Sequence, residues 1–288
     1  MNTKVTVTGM QVKAVVNDNL LIAGDTLDST AKKADNLFSN SLTQEVKGIL
    51  EPVSTINGTT FFYTATNNVY ANGDAIADTY LPYATTGLGD ATDTTNYTNA
   101  FSQNYGVSKS IANARITGQD KAVGYVDYVF QLKATNTQGS AAPIKLTKLD
   151  FTYTQTGSEV ENTKAYRVAF FVEDITDGTA TAAPGTINAI YTVSGADNFT
   201  SGKAVKDATT VDDLSTAYAT AAVDLASVPA TTTKYYKVVV RLWLEGEDNT
   251  CNNETFMLLT GQWALDLEME LGSTATGVAN ITKITATP

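Results

Sequence analysis

The sequence contains no histidine and a single cysteine among its 288 residues. Histidine is the usual base of nucleophilic triads, a common proton shuttle and a frequent ligand of zinc and haem, so these chemistries lose their main residue. No phosphate-binding loop of the GxxxxGKS/T or GxGxxG type is present. Cys251 has no disulfide partner and no histidine to activate it, which favours a packed small hydrophobe over a nucleophile. These absences predict a protein that is not an enzyme.

Positive charge is scarce as well. Lysine and arginine total 19 against 30 acidic residues, giving a formal net charge of −11. Nucleic acids require clustered basic residues, so no nucleic acid is expected as a partner. No apolar run approaches the roughly 20 residues that cross a bilayer, so no membrane span is expected. The first residues lack a charged leader followed by an apolar stretch, which predicts either synthesis without a signal peptide or a mature form from which one was removed.

The strongest pattern present is an alternation of apolar and polar residues in two runs within residues 235–271. Period two over about nine residues is typical of β-strands with one buried and one solvent-facing side. The predicted solvent-facing residues are Lys237, Val239, Arg241 and Trp243 in the first run and Ala264, Asp266, Glu268 and Glu270 in the second. The predicted buried residues are Tyr236, Val238, Val240, Leu242, Leu244, Trp263, Leu265, Leu267, Met269 and Leu271.

The predicted fold is an all-β, jelly-roll-like antiparallel β-sandwich that forms a single domain over residues 1–288, with one or two short helices. Further strands are expected in residues 3–23, 61–63, 123–134, 144–154, 164–172 and 187–193 and after Gly272. Thr210 and Asp213 resemble a capping box, which predicts a short helix within residues 207–228, and residues 30–48 are the other candidate for a helix. Residues 67–120 show weak periodicity and are predicted to be a loop-rich insertion, either contact-making or decorative.

Four acidic residues crowd the turn between the two long runs: Glu245, Glu247, Asp248 and Glu254. Paired carboxylates can hydrolyse glycosides, and carboxylate oxygens are ligands that Ca²⁺ prefers. Their spacing does not match the EF-hand loop. The favoured interpretation is a solvated acidic turn, with a calcium site as the alternative, so no cofactor is expected apart from possible calcium.

Aromatic residues at strand spacing are numerous: Tyr125, Tyr128, Tyr153, Tyr235, Tyr236, Trp243 and Trp263. On an open sheet face such residues can stack on sugars, which makes a carbohydrate-binding module one hypothesis. The favoured interpretation is that they form core or interface.

Several stretches of the chain resemble the TasA/camelysin-like exported proteins of Firmicutes, which a SipW-type signal peptidase processes. The stretches are residues 238–251 (VVVRLWLEGEDNTC), 50–63 (LEPVSTINGTTFFY), 125–133 (YVDYVFQLK) and 166–172 (YRVAFFV), and they occur in the same order as in that family. The resemblance implies a jelly-roll fold and a structural role. It also implies assembly into extracellular matrix fibres by passing a strand between neighbouring subunits.

The expected function is therefore that of a non-enzymatic subunit that assembles with copies of itself into an extracellular or cell-surface fibre. Residues 1–23 are the candidate exchanged or edge strand, because an edge strand offers unpaired backbone groups to a neighbour. The candidate assembly residues are Val5, Val7, Val12, Ala14 and Val16. A phage virion protein, located in a capsid or tail with other virion proteins, remains an alternative, since such a protein needs no leader.

Overall fold

The computed structural model describes residues 5–16, 19–50, 54–55, 61–62, 122–123, 125–154, 166–181, 186–192, 224–244, 262–275 and 283–285. Within these ranges the chain forms β-strands and one short 3-10 turn, Asp35–Leu37, which confirms the all-β prediction. The strands are β1 (Val5–Val16), β2 (Leu20–Gly24), β3 (Ser41–Leu50), β4 (Ser54–Thr55), β5 (Phe61–Phe62), β6 (Ala122–Val123), β7 (Tyr125–Thr135), β8 (Ala142–Thr154), β9 (Tyr166–Asp174), β10 (Thr186–Thr192), β11 (Asp224–Val228), β12 (Thr233–Leu244), β13 (Gln262–Leu271) and β14 (Lys283–Thr285).

Five strands form an antiparallel sheet in the order β10-β9-β12-β7-β2. Its central strand is β12, the first of the two long alternating runs. β12 pairs with β7 from Thr233↔Thr135 to Trp243↔Tyr125 and with β9 along its other edge. The valine and aromatic residues that fill β12 favour this position, because β-branched and aromatic side chains pack well on a pleated surface.

Seven strands form the second large sheet, in the order β11-β8-β13-β1-β3-β6 with β14 also paired to β8. The β13–β8 and β1–β3 pairs are antiparallel, whereas β1–β13, β3–β6 and β14–β8 are parallel. Parallel neighbours require a long connection, and the β1–β13 pair joins strands from opposite ends of the sequence. The jelly-roll connectivity stays a prediction.

The two large sheets enclose one hydrophobic core, which makes the domain a β-sandwich. The five-stranded sheet contributes Phe130, Phe170 and Val240 and the seven-stranded sheet contributes Leu146 and Leu267, all fully buried. Burial of one such side chain stabilises the fold by about 1.5–3 kcal/mol. The alternation in β13 faces this core as predicted, with Leu265, Leu267 and Met269 buried and Asp266 and Glu268 only partly covered.

The other side of β12 is also buried, so the prediction that Lys237, Val239, Arg241 and Trp243 face solvent is wrong. Lys237, Arg241 and Trp243 are 1%, 2% and 0% exposed, and Val239 belongs to a second apolar cluster with Trp243. The physical reason is that residues 25–40, here called the crossing segment, lie over this face. Lys237 donates hydrogen bonds to two carbonyl oxygens of that segment, and Leu27 packs against the second cluster.

Most predicted strands are present. The short helix predicted within residues 30–48 is met by the 3-10 helix Asp35–Leu37, whereas the described end of residues 207–228 is not helical. Residues 30–48 hold a 3-10 turn followed by β3, and the last part of residues 207–228 is strand β11, which pairs with β8. The predicted strand entry at residues 61–63 is met by β5, which pairs with β4. The rest of the predicted helix and the 67–120 insertion lie outside the described residues.

Candidate assembly site

Strand β1 occupies an interior slot of the seven-stranded sheet. It pairs in parallel with β13 from Gln11↔Ala264 to Val16↔Met269, and antiparallel with β3 from Val5↔Leu50 to Val15↔Ser41. The prediction of an edge strand is therefore wrong for β1, whereas β2 does lie at the end of the five-stranded sheet. Both backbone edges of β1 are used, so withdrawing it would leave β13 and β3 each with one unpaired edge. Neighbouring strands lie about 4.8 Å apart, so the resulting gap is one strand wide.

A bulge in β1 explains why its apolar residues change phase. Val7 pairs with Gly48 and Met10 pairs with Val46, so three steps along β1 are matched by two along β3. The extra residue shifts the alternation by one position, from Val5 and Val7 to Val12, Ala14 and Val16. The last three pair with Leu265, Leu267 and Met269, which are buried core residues of β13. All five residues predicted for assembly thus stand in the described strand β1, in two blocks on either side of a bulge.

The connection after β1 is short and leads to a firmly held strand. Residues 17–19 join β1 in the seven-stranded sheet to β2 in the five-stranded sheet. Leu20 and Ile22 of β2 are 0% exposed, and Ile22 exchanges two backbone hydrogen bonds of 2.8 Å with Ser39. The main-chain oxygen of Asn19 accepts a hydrogen bond of 2.9 Å from the Thr135 amide. These hydrogen bonds hold β2 in the five-stranded sheet without using β1.

The covered face of the five-stranded sheet holds a buried ion pair. Arg241 Nε and Nη2 donate to the two carboxylate oxygens of Asp127 at 2.7 and 2.8 Å, and their side chains are 3% and 2% exposed. The guanidinium lies over the ring of Tyr125, 4.0 Å from its centroid, and 5.2 Å from the ring centre of Phe171. Bidentate pairing and ring stacking are the arrangement that a buried arginine requires. Both carboxylate oxygens of Asp127 accept hydrogen bonds from the guanidinium, so we assign this pair a structural role.

Two further polar residues attach the crossing segment to the sheet. Lys237 Nζ donates to the carbonyl oxygens of Leu27, Ser29 and Thr181, each at 2.8 Å. Gln131 is 0% exposed; its amide nitrogen donates to the Asp25 carboxylate and to the Ala31 carbonyl, and its oxygen accepts from the Lys33 amide. These bonds satisfy the ammonium group of Lys237 and the amide group of Gln131, both of which the covered face buries.

Near the end of the crossing segment, the side chains of Tyr235 and Lys133 both contact Asp35. Tyr235 Oη donates to Asp35 at 2.7 Å, and Lys133 Nζ lies 3.0 Å from the other carboxylate oxygen. The hydrogen bond from Tyr235, followed by that from Lys133, lowers the pKa of Asp35 below its ordinary value. Burial, followed by the bond to Asp35, raises the pKa of Tyr235. Asp35 is exposed to solvent, so these contacts attach the crossing segment to β7 and β12 at the protein surface.

The acidic turn of Glu245, Glu247, Asp248 and Glu254 lies outside the described residues, as does Cys251. The calcium prediction therefore stays a prediction. Within the described ranges, no three Asp, Glu, Cys or His residues are grouped so that they could hold a metal ion, and no helix is long and apolar enough to cross a membrane.

The predicted aromatic residues lie in the interior where their side chains are described. Tyr125, Tyr128, Tyr235, Tyr236 and Trp243 are each at most 8% exposed, and burial raises the pKa of Tyr236 to about 12. These five are core, as the favoured interpretation predicted. They do not offer an open stacking surface to a sugar. The side chains of Tyr153 and Trp263 are not among those described.

Fold and site together define the class of this protein: an all-β sandwich in which the first described strand fills an interior slot beside the last long strand. No protein-family model, no curated protein and no solved structure matches the chain.

Proposed function

We propose that this chain is a non-enzymatic structural subunit that assembles with copies of itself into an extracellular surface or matrix fibre by exchanging β1 between neighbouring subunits. The observation that carries the proposal is the position of β1: an interior strand, first among the described strands, held between β13 and β3. Its removal opens one strand-wide slot and takes no other described strand with it. The resemblance to TasA/camelysin-like proteins supports the same role.

The energetic cost of exchange is limited because the strand finds the same partners in either subunit. A strand from a neighbour can restore the β13 and β3 ladders in the same register, so the assembled state keeps the contacts of the single chain. The cost lies in opening the slot and in ordering the connection at residues 17–19. Only three residues separate β1 from β2, and short hinge segments in general favour exchange between copies.

Disulfide trapping between two variants tests the exchange directly. Gln11→Cys and Ala264→Cys, each in a Cys251→Ala background, place thiols at one register pair, within the Cα separation that a disulfide requires. After co-assembly and mild oxidation, exchange predicts a covalent dimer that contains one copy of each variant. A Gln11→Cys and Glu270→Cys mixture is the matched control and should not cross-link, because those positions are out of register.

Deletion of residues 1–16 should abolish assembly, as seen by electron microscopy and light scattering, while leaving a folded core. Fibres of normal length after deletion, or no covalent dimer from the Gln11→Cys and Ala264→Cys mixture, would refute the exchange. Closed shells or rings in place of fibres would favour the virion alternative. A wild-type chain that stays monomeric at high concentration would exclude a self-assembling subunit altogether.

A further inference from the structure

The register of β1 places Lys13 opposite Asp266, whose other register partner is Asp150. Asp266 of β13 pairs directly with Asp150 of β8 on one side and with Lys13 of β1 on the other. On the far side of β1, Lys13 pairs with Thr43 of β3, a neutral residue. One row across four strands therefore reads Asp150, Asp266, Lys13, Thr43. Like charges placed directly opposite on neighbouring strands are destabilising, and an opposite charge offsets them.

Among the described residues, Lys13 is the one lysine directly opposite either aspartate, while Lys283 of β14 stands opposite Thr152, two residues along β8 from Asp150. Lys13 is the one charged residue within Val5–Val16. The nearest other lysine in the β8–β13 ladder, Lys148, stands in the next row of charged pairs and is engaged there, with its Nζ 3.5 Å from Glu268. Withdrawing β1 would consequently leave Asp150 and Asp266 as register partners without Lys13.

Shifted registers of β1 against β13 would no longer place Lys13 opposite Asp266. A slip of one residue would exchange the two faces of β1, so the nearest alternatives that keep the faces are slips of two residues. One such slip would bring Val15 opposite Asp266, and the other would bring Gln11 there. Either slip leaves the pair of aspartates without a lysine directly opposite. The native register is the one that places Lys13 opposite Asp266.

We infer that Lys13 is the register- and partner-specifying residue of the β1 slot, and that the slot of a second copy of this chain recognises an incoming β1 through the Asp150/Asp266 pair. This inference rests on the proposed function for its intermolecular half. Its intramolecular half, the coupling of Lys13 with Asp266 inside one chain, holds whether or not strands are exchanged.

A charge reversal separates the two halves. We expect Lys13→Glu to lower the Tm of the full chain by about 2–4 °C, since it adds a third carboxylate to the row, and Asp266→Lys to act in the same direction. The double variant Lys13→Glu/Asp266→Lys should recover most of the loss. Additive losses in the double variant would overturn the inference, and Lys13→Gln with Asp266→Asn forms the same cycle if a reversal prevents folding. Lys148→Glu is the control, because it changes charge in the neighbouring row and should not be rescued by Asp266→Lys.

Mixing the two single variants tests recognition between chains. Each variant alone offers only a mismatched slot, so its assembly should be at least several-fold slower than that of the wild type. In the mixture, the glutamate that β1 of the Lys13→Glu variant carries meets the lysine in the slot of the Asp266→Lys variant. The unchanged Lys13 of the second variant meets the unchanged Asp266 of the first, so both junctions are complementary and alternating assemblies should form.

The outcomes of the mixing experiment and of the disulfide experiment are distinguishable. Coupling within the chain without assembly in the mixture would retain the register role of Lys13 and overturn its recognition of a second copy. Exchange in the disulfide experiment without coupling would leave the proposed function standing and overturn this inference.

Discussion

Removal of the Asp127 carboxylate is expected to be among the most destabilising single changes in the described part of the chain. Asp127→Ala would leave the buried Arg241 guanidinium without the carboxylate that it binds at 2.7 and 2.8 Å. Removing one partner of a buried ion pair costs about 3–5 kcal/mol, because the remaining charge stays desolvated. Stacking on Tyr125 at 4.0 Å does not replace a bidentate carboxylate.

Urea unfolding followed by tryptophan fluorescence measures this loss. The midpoint should fall while the slope m stays constant, since the surface exposed on unfolding is unchanged. The matched control is Asp224→Ala, which removes a carboxylate 3.4 Å from Lys145 that is 60% exposed. An exposed pair of this kind contributes about 0–1 kcal/mol.

A double replacement distinguishes a buried charge from simple loss of packing. Asp127→Leu combined with Arg241→Met removes both charges and keeps apolar volume, so it should cost far less than Asp127→Ala alone. If Asp127→Ala costs no more than Asp224→Ala, the pair is not the buried anchor that its geometry implies. A double variant whose loss equals the sum of the single losses would lead to the same conclusion.

Three further predictions concern tyrosines and one turn. Tyr128→Phe should raise stability by about 1 kcal/mol in thermal unfolding, because the Tyr128 hydroxyl is buried without a hydrogen-bond partner among the described residues. Tyr236→Phe is the control and should lower stability, because it loses the hydrogen bond to the Ser227 carbonyl. Burial raises the pKa of Tyr236 from 10.0 to about 12, so the unfolded chain loses the hydroxyl proton at lower pH than the folded chain, and stability should fall as the pH rises from about 10 to 12. A spectrophotometric titration in which every tyrosine ionises near pH 10 before unfolding would contradict this prediction. Thr231→Gly should stabilise by about 0.5 kcal/mol, since Thr231 has a φ of 53° that glycine adopts without strain, whereas Thr232→Gly should destabilise; equal effects would refute the strain.

The sandwich was predictable because alternation reports which residues face a core. Leu265, Leu267 and Met269 alternate with partly exposed residues, and their burial follows from that pattern. The strand at Asp224–Val228 was missed because apolar residues at helical spacing precede it, and only pairing with β8 decides its conformation. Local spacing cannot report such a long-range partner.

The covered face of β12 was not predictable from alternation. A strand with Lys237 and Arg241 on one side has the same period whether water or another segment covers that side. The crossing segment that covers this face has no periodicity of its own. Lys237 donates to its backbone carbonyl groups, and because every residue type has such a group, the sequence does not reveal the contact. The interior position of β1 was likewise not predictable, because a run of alternating residues does not show whether one or two strands pair with it. The phase change between Val7 and Val12 does signal the bulge.

The pairing of β1 with β13 has a consequence for the time course of synthesis. Gln11 and Ala264 are partners, yet some 250 residues must be made between them. At about 5–20 residues per second, the first strand waits on the order of 10–50 s for its parallel neighbour to emerge. During that interval the backbone edge of β1 that will pair with β13 has no partner. The β1 strand of a nascent chain on the next ribosome has the same unpaired edge. The order of synthesis therefore leaves a kinetic opening for one molecule to complete another before either has closed on itself.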